Sequence, residues 1–286
     1  GTTTADASGN GNTGTLGNAV RTATGRIGRG MAFNVNTAHV RVADSASLDL
    51  AGSGTVALWV YQTTALQIAG LVHKGQLSSY SDEAYSLQFQ GTTRRPQILL
   101  TGATGFKNVT SPTALALNTW HHIATTWDST GTRLFVNGAQ VAVSTGAITV
   151  KSSAGALFIG SQYVSGDPFR GTLDEVRIYN RALTAAEIGQ IQTTPIGTAI
   201  DVTLPTVDLT SPVEGAHVSG IVAVTANASD AGGLAGVQFL IDGVALGAEQ
   251  TTAPFNAQWN TDGLVPGDHT VTARARDLAN NIASET

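Results

Sequence analysis

Apolar and polar residues alternate in short runs along the whole chain, and Gly, Asn, Asp and Ser separate the runs. Side chains alternate between the two faces of a strand, so this period of two predicts β-strands with one buried face. In the first two-thirds of the chain the pattern predicts strands at His39–Val42, Thr55–Tyr61, Tyr85–Gln90, Gln97–Thr101, His121–Trp127, Arg133–Asn137, Leu157–Gly160 and Leu173–Tyr179. So many short strands between turn residues indicate an all-β sandwich.

Two local signals refine this picture. Asn137-Gly138 lies between two apolar triplets and predicts a tight hairpin turn. Thr184 and Glu187 have the spacing of a capping box, in which each side chain binds a free backbone N–H of the other residue. Ile188 and Ile191 follow on one face. The sequence therefore predicts one short helix after the last strand of the sandwich.

A second set of short strands follows Pro205. These strands are predicted at Val207–Thr210, Ile221–Ala226, Val237–Ile241, Phe255–Trp259 and His269–Ala275. Their spacing of about a dozen residues is typical of a small immunoglobulin-like sandwich. We therefore predict a domain at 1–192, a linker at 193–204 and a second domain at 205–286.

Composition and charge narrow the function. The 286 residues carry 15 basic and 20 acidic side chains, and charged residues make up only 12% of the chain. The charge is uneven, because residues 1–200 sum to +3 (13 basic, 10 acidic) and residues 201–286 to −8 (2 basic, 10 acidic). We expect no nucleic-acid partner on this balance. The absence of Cys excludes disulfides and thiolate chemistry. No apolar run is long enough to predict a membrane span.

Three stretches of the first domain resemble the bacterial laminin-G-like family, which is part of the concanavalin A-like lectin/glucanase group. They are Asp6-Ala7-Ser8-Gly9-Asn10-Gly11-Asn12, then Thr119-Trp120-His121-His122-Ile123-Ala124, and then Gly171-Thr172-Leu173-Asp174-Glu175-Val176-Arg177-Ile178-Tyr179-Asn180 with the helix after it. The resemblance implies a concanavalin A-like jelly-roll sandwich of two antiparallel sheets.

The second domain resembles a bacterial Ig-like domain. The matching segments are Gly236-Val237-Gln238-Phe239, Ile241-Asp242-Gly243 and Gly267-Asp268-His269-Thr270-Val271. Compared with both families, a strand before Gly1 and part of the last strand are missing. We therefore expect either that these pieces lie outside this sequence or that neighbouring copies pair through their edge strands.

A calcium site is one candidate. Asp6, Asn10 and Asn12 lie on a short Gly-rich loop, and Ca²⁺ prefers six to eight oxygen ligands. The resemblance implies that Asp174 lies near this loop. The alternative is that Asp and Asn only form turns here. A weaker cluster, Asp230 with Asp277 and Asn281, favours turn chemistry.

A ligand surface is the second candidate. Aromatic rings bind sugars by stacking, and the best placed polar and aromatic side chains on loops are Tyr80, Tyr85, Tyr163, His73 and Lys74. Trp59, Trp120 and Trp127 fall inside apolar strands and are interpreted as core.

Catalysis is not expected. A glycoside hydrolase needs two carboxylates that face one sugar, and the adjacent pair Asp174-Glu175 would point to opposite faces of a regular strand. His121 and His122 are adjacent on a strand and cannot share a metal for the same reason.

We therefore predict a non-catalytic, secreted or cell-surface pair of domains. The first would bind carbohydrate or a cell-surface protein, with calcium as a structural ion, and the second would act as a spacer. The alternatives are a subunit or repeat of a surface filament or layer, and the targeting appendage of a secreted enzyme.

Overall fold

The computed structural model describes residues 2–22, 24–75, 82–164, 166–197, 201, 203–278 and 281–286. The chain divides into two compact units, Gly1–Thr198 and Ala199–Thr286. Each unit has its own cluster of buried apolar side chains.

The first unit is built from short strands. In chain order they are Thr3–Thr4 (β1), Gly14–Gly17 (β2), Val20–Arg21 (β3), Met31–Phe33 (β4), His39–Val42 (β5), Gly54–Gln62 (β6), Ala69–Lys74 (β7), Tyr85–Gln90 (β8), Arg95–Thr101 (β9), Phe106–Thr110 (β10), Trp120–Trp127 (β11), Gly131–Val136 (β12), Ala139–Thr145 (β13), Leu157–Ile159 (β14) and Gly171–Tyr179 (β15).

These strands form two antiparallel sheets. Within the described ranges, the eight-stranded sheet has the order β1-β2-β5-β14-β7-β8-β9-β10, and the seven-stranded sheet has the order β13-β12-β11-β6-β15-β4-β3. The core lies between them and includes Val40, Leu87 and Ile98 from the first sheet and Leu58 and Ile123 from the second. Because strand side chains alternate, the other face of each sheet points away from this core.

The helix (α1) spans Ala185–Ile191 and begins at the predicted capping box. The Thr184 hydroxyl accepts a hydrogen bond from the Glu187 N–H at 3.2 Å, and the Glu187 carboxylate accepts one from the Thr184 N–H at 2.7 Å. Ile188 and Ile191 are fully buried. Just past the helix, the Gln192 carbonyl accepts a hydrogen bond from the indole of Trp59 at 3.1 Å, which ties this end to the seven-stranded sheet.

The second unit is a smaller sandwich. Its strands are Thr206–Ser211 (β16), Ile221–Ser229 (β17), Leu234–Ile241 (β18), Val244–Ala245 (β19), Phe255–Asn260 (β20), Val271–Asp277 (β21) and Ile282–Glu285 (β22). In the described part of this unit they form a sheet β16-β17-β20 and a sheet β19-β18-β21-β22. Val224, Phe239 and Trp259 pack between the two sheets.

The all-β prediction of two successive sandwiches is confirmed. Several strands of the first sandwich, β7 and β10 among them, were not among the predicted strands. Within the described ranges, no helix is long and apolar enough to cross a membrane.

Candidate functional site

A row of side-chain amides crosses the outer face of the eight-stranded sheet. Cross-strand pairing places Thr110 beside Gln97, and Gln97 beside Gln88. The Gln88 amide donates to the Gln97 carbonyl at 3.1 Å, and the Gln97 amide donates to the Thr110 hydroxyl at 2.8 Å. The Gln162 amide donates to the Gln88 carbonyl from the other side. We call Gln88, Gln97, Thr110 and Gln162 the amide face.

A glycine lets this row continue across β7. Gly70 pairs with Gln88 and lies between Gln88 and Gln162. A Cβ atom at Gly70 would lie 2.9 Å from the Cγ atom of Gln162 and 2.6 Å from the carbonyl carbon of Ser161. Only glycine fits at this position, so the two glutamines meet over its backbone. The row spans four strand spacings, about 19 Å.

Two aromatic side chains lie beside the amide face. Phe106 lies on the same side of β10 as Thr110, four residues or about 13 Å along the strand, and 70% of its surface is exposed. Tyr163 follows Gln162 and is 38% exposed. Its ring lies against Gly166, where a Cβ atom would be 1.7 Å from the Cζ atom of the ring. Gly166 therefore supports one face of the tyrosine.

The centre of the outer face is closed. His73 pairs with Ser86 and Phe158 on the neighbouring strands, and all three are buried. Neither ring nitrogen of His73 has a hydrogen-bond partner, and Nδ1 lies 3.9 Å from a carboxylate oxygen of Glu83. Burial lowers the pKa of His73 to about 4 and raises the pKa of Glu83.

Three of the five predicted ligand residues do not face solvent. Tyr85 is fully buried, packs against Trp127 and donates its hydroxyl to the Leu48 carbonyl at 3.1 Å. His73 is likewise inaccessible. The prediction of a surface role for these residues is therefore wrong, because Tyr85 points into the core between the sheets and His73 lies at the closed centre of the outer face.

Lys74 is the third misplaced residue. It is fully buried, and its ammonium donates to Asp44 at 2.6 Å and to the carbonyls of Ser153 and Gly155 at 2.5 and 2.6 Å. These three acceptors bind the ammonium, so Lys74 stabilises the fold and is not available at a ligand surface. Tyr80 lies outside the described residues, and Tyr163 alone of the described four is exposed.

The predicted calcium residues all line one cleft at the edge of the sandwich. Asp6, Asn10, Asn12 and Asp174 lie along its wall, which encloses about 700 Å³. The Asp6 carboxylate accepts hydrogen bonds from the N–H groups of Ser8 and Asn12, both at 2.9 Å.

The two carboxylates of this set are already bound to backbone N–H groups. Burial raises the pKa of Asp6, but the hydrogen bonds from Ser8 and Asn12 outweigh it and hold this pKa below its usual value. Asp174 accepts hydrogen bonds from the N–H groups of Ile27 at 2.8 Å and Glu175 at 2.9 Å. The calcium assignment stays a prediction.

The second unit brings three carboxylates together. Among the described residues, Asp201, Asp230 and Asp277 form the one group of three or more His, Asp or Glu side chains whose ligand atoms lie within 4.8 Å of one another. Each carboxylate also accepts a backbone N–H, from Thr203, Gly232 and Asn281 respectively. These bonds organise the turns, as the sequence led us to expect of Asp230 and Asp277.

Two tryptophans interpreted as core lie on the outer face of the seven-stranded sheet. Val60, Leu58 and Ile123 point inward, so Trp59 and Trp120 point outward. Trp59 is covered by the Arg26 guanidinium, 4.6 Å from its ring centre. Trp120 is half-buried beside Tyr61, with ring centres 5.5 Å apart. Trp127 lies between the sheets, and Trp59 is 6% exposed beneath Arg26 and Gln192, so only the interpretation of Trp120 as core is corrected.

A β-bulge also changes the geometry of Asp174 and Glu175. Between Asp174 and Arg177 the register with β6 shifts by one residue, and Glu175 has a positive φ of 51°. The alternation assumed from the sequence therefore fails at this point, and both residues line the same cleft. Glu175 pairs with Arg177 at 2.6 Å.

The sequence signal for the amide face was weak. Gln162 is far from the other two in the chain and lies in a bend after β14, and Gln88 and Gln97 are polar residues on strands like many others. Only the register between strands shows that they meet. Phe106 follows a Gly-rich turn and lies in a strand that was not predicted.

Comparison with known families gives two matches, in the order of the two units. Residues 34–189 match the family model described as concanavalin A-like lectin/glucanases superfamily, and residues 205–273 match the model described as bacterial Ig domain. Both resemblances noted in the sequence are confirmed. No curated protein matches the chain.

Solved structures share the fold at low identity. Domain 4 of an extracellular GH43 arabinanase from Geobacillus stearothermophilus, in complex with arabinotriose, is 20% identical, with 61% of this chain and 81% of that chain covered and a TM-score of 0.51. The binding domain of botulinum neurotoxin serotype G is 11% identical, with 96% and 71% covered and a TM-score of 0.52. The CBM40 of the Ruminococcus gnavus IT-sialidase is 16% identical, with 60% and 95% covered and a TM-score of 0.46.

Proposed function

Because the chain belongs to the concanavalin A-like lectin/glucanases superfamily, we propose that its first unit is a carbohydrate-binding module. The glycan would lie across the outer face of the eight-stranded sheet. The observation that carries this proposal is the amide face with the exposed rings of Phe106 and Tyr163 beside it.

The chemistry of this face suits a sugar. Hydroxyl groups of a glycan need both donors and acceptors, and a primary amide supplies two N–H donors and one carbonyl acceptor. The amides of Gln88 and Gln97 each use one N–H within the row, and Gln88, Gln97 and Gln162 keep only 9%, 8% and 8% of their surface exposed. The apolar face of a sugar ring packs against an aromatic ring, and the exposed rings of Phe106 and Tyr163 supply such surfaces. The length of the row, about 19 Å, favours an oligosaccharide over a single sugar.

We propose that this unit binds its glycan without cleaving it. Hydrolysis needs two carboxylates that flank the bond to be broken. Glu83, which lies near His73 on this side, is 5% exposed. Asp174 and Glu175 are held by backbone N–H groups and by Arg177 at the edge of the sandwich.

We also propose an extracellular setting, with the Ig-like unit as a spacer that carries the binding unit. The support is the low charge of the first unit and its family membership. A subunit of a surface filament and a targeting appendage of a secreted enzyme remain the rival proposals.

Binding to oligosaccharides tests the proposal. Arabinotriose and a panel of plant and microbial polysaccharides would be titrated calorimetrically against the chain and against Phe106→Ala, Tyr163→Ala and Gln97→Ala. For a ligand that binds, each aromatic variant should weaken affinity by about three- to tenfold, since one ring contact contributes about 0.5–1.5 kcal/mol. Incubation with the same ligand should release no reducing ends.

Trp120→Ala is the matched control, because Trp120 is a half-buried aromatic residue on the opposite sheet. This variant should bind normally. Loss of binding in Trp120→Ala, with normal binding by the Phe106 and Tyr163 variants, would move the site to the other face. Absence of binding to every glycan would contradict the proposed function.

A further inference from the structure

The amide face continues by one cross-strand pair toward the turn between β8 and β9. Gln90 pairs with Arg95, and the two residues lie two positions along their strands from Gln88 and Gln97. Two positions along a strand return to the same face, so both side chains point outward, about 7 Å from the row of amides. Gln90 is exposed and Arg95 is half-buried, whereas the amides of the row are almost covered. This pair is therefore more accessible to a ligand than the row itself.

The guanidinium of Arg95 is held in place on one side only. Its Nε–H donates to the Ser111 carbonyl at 2.5 Å, which fixes the side chain beside the start of β9. Within the described ranges, its two terminal nitrogens have no hydrogen-bond partner, and no carboxylate lies within ion-pair distance of them. The planar fork of these nitrogens matches the two oxygens of a carboxylate. Arg95 therefore offers an anchored cation whose binding groups are still available.

The strands that carry the amide face contain no acid. From Ala84 to Trp127, a stretch that includes β8, β9 and β10, the sequence has no Asp or Glu but has Arg94, Arg95 and Lys107. Lys107 pairs with Leu100 of the inner layer, and its ammonium binds two backbone carbonyls, so it does not face the ligand. The charge that remains on this part of the face is therefore positive.

The acids that border the amide face lie away from Arg95. Asp167 follows Gln162, and its carbonyl accepts the N–H of Gly70, which places it at the opposite end of the row. Glu83 is 5% exposed, and its carboxylate lies 3.9 Å from His73 on β7. Neither carboxylate balances the guanidinium, so an anion supplied by a ligand at Arg95 meets no like charge on β8 to β10.

We propose that the glycan of the amide face is acidic and that Arg95 binds the carboxylate of one of its uronic acid residues. This inference rests on the proposed function and names the class of ligand. The two terminal nitrogens of Arg95 donate to the two carboxylate oxygens, and the Gln90 amide beside them binds hydroxyl groups of the same sugar. A neutral glycan would leave the guanidinium without an anion.

The spacing of the contacts calls for several sugars. Phe106 pairs with Thr101, and Thr101 lies six residues from Arg95 on β9, which is about 20 Å. One sugar cannot reach both the aromatic ring and the guanidinium. A uronic acid trimer should therefore bind more tightly than the monomer.

The probes are trimers of galacturonate, glucuronate and mannuronate, each compared with its own carboxyl methyl ester. The ester keeps the sugar rings and removes only the negative charge. Titration calorimetry with the full chain should show that at least one trimer binds. We expect it to bind about tenfold more tightly than its ester, because hydrogen bonds between charged groups are about twice as strong as neutral ones.

Variants of Arg95 locate the preference. Arg95→Gln should weaken the acidic trimer by about tenfold and leave its ester unchanged, and added salt should then no longer weaken binding. Arg95→Lys keeps the charge without the planar fork, so we expect a smaller loss of about threefold. The ester comparison uses the parent chain, so it tests the proposal even if Arg95→Gln loses stability with its bond to Ser111.

Arg41→Gln is the matched control. Arg41 is an exposed arginine on β5 of the same sheet, and in the described part of the chain it has no ion-pair partner. The strand β5 lies four spacings, about 19 Å, from β9. This variant removes the same charge from the same sheet and should change neither affinity.

Three outcomes would overturn the proposal. Equal affinity for the acid and its ester is one, and a preference that persists in Arg95→Gln is another. A sulfated galactose trimer that binds more tightly than every uronate is the third, since it would assign Arg95 to a sulfate. In each case a glycan that still responds to Phe106→Ala leaves the proposed function standing, whereas failure of all neutral and acidic glycans to bind would remove both.

Discussion

His73 and His122 are buried histidines on the two sheets of the first unit, and among the described residues both ring nitrogens of His73 and Nδ1 of His122 have no hydrogen-bond partner. Burial lowers the pKa of each to about 4, and the positive charge of Arg177 adds to the effect on His122. The ordinary pKa of 6.5 applies in the unfolded chain, so the unfolded state binds protons first as the pH falls. Stability is therefore full above pH 6.5 and is lost between pH 6.5 and about 4, by up to about 3 kcal/mol for each histidine.

His122→Gln should reduce this pH dependence. The free energy of unfolding of the first unit, measured with urea at pH 7.5 and 4.5, should differ less in the variant than in the parent chain. His122 gives the cleaner test, because the raised pKa of Glu83 beside His73 acts in the opposite direction. His217→Gln, at an exposed histidine, is the control. If the free energy of unfolding of His122→Gln differs between pH 7.5 and 4.5 as much as that of the parent chain, His122 is not the source of the pH dependence.

Lys74 makes a second residue-scale prediction. Lys74→Met keeps the length of the side chain but leaves the carbonyls of Ser153 and Gly155 without their donor. We expect a loss of about 3 kcal/mol in the free energy of unfolding, as for other broken buried pairs. Lys107→Met is the matched control, because the ammonium of Lys107 also binds two carbonyls, those of Thr145 and Gly146, at the surface. That variant should lose less than about 1 kcal/mol, and equal losses would refute the argument.

At the scale of elements, the helix α1 depends on its first turn. Thr184→Ala removes the hydroxyl that accepts the Glu187 N–H, and we expect a cost of about 1 kcal/mol in urea denaturation. Thr184→Ser keeps the hydroxyl and should retain most of the stability. A full loss in the serine variant would point instead to the methyl group of Thr184.

The strands illustrate how far the sequence alone leads. Thr55–Tyr61 was predicted and β6 is Gly54–Gln62, because Val56–Tyr61 is a continuous apolar run rich in β-branched and aromatic residues. The strand β7 has the sequence Ala-Gly-Leu-Val-His-Lys, which does not alternate, and its polar end was assigned to a ligand surface. The strand is covered on both faces, so its histidine and lysine are buried.

The candidate site was less predictable than the fold for a physical reason. The amide face depends on the register of β8, β9 and β10 and on the missing side chain of Gly70, and neither appears in the periodicity of any one strand. The bulge at Glu175 likewise cancels the alternation on which the argument about Asp174 and Glu175 rested. Tyr163 was predicted correctly as a surface residue, because a residue on an exposed loop can be identified without knowing how the strands pair.

At the scale of the whole molecule, the first unit separates its proposed contacts. The amide face lies outside the eight-stranded sheet, Trp120 lies outside the seven-stranded sheet, and the cleft with the predicted calcium residues lies between the two sheets. A glycan on the amide face and an ion in the cleft would therefore bind without competing. Charge differs between the units as well, with −8 confined to residues 201–286, so salt should affect contacts of the second unit more strongly.

The last prediction concerns calcium, which we propose as a structural ion at Asp6, Asn10, Asn12 and Asp174. An ion that binds only the folded state at one hundred times its Kd adds about 2.7 kcal/mol to the free energy of unfolding. For a unit of this size that raises the melting temperature by about 5–10 °C, and a chelator should reverse the rise.

Asp6→Asn should abolish the calcium-dependent rise. Asp128→Asn is the matched control, because Asp128 also accepts hydrogen bonds from backbone N–H groups, those of Thr130 and Gly131. Asp128 does not line the cleft that holds the predicted calcium residues. Both variants should lose the stability of their turn, and only Asp6→Asn should lose the response to calcium. A melting temperature that ignores calcium would remove the ion from this loop. A rise that persists in Asp6→Asn would assign the ion to ligands other than Asp6.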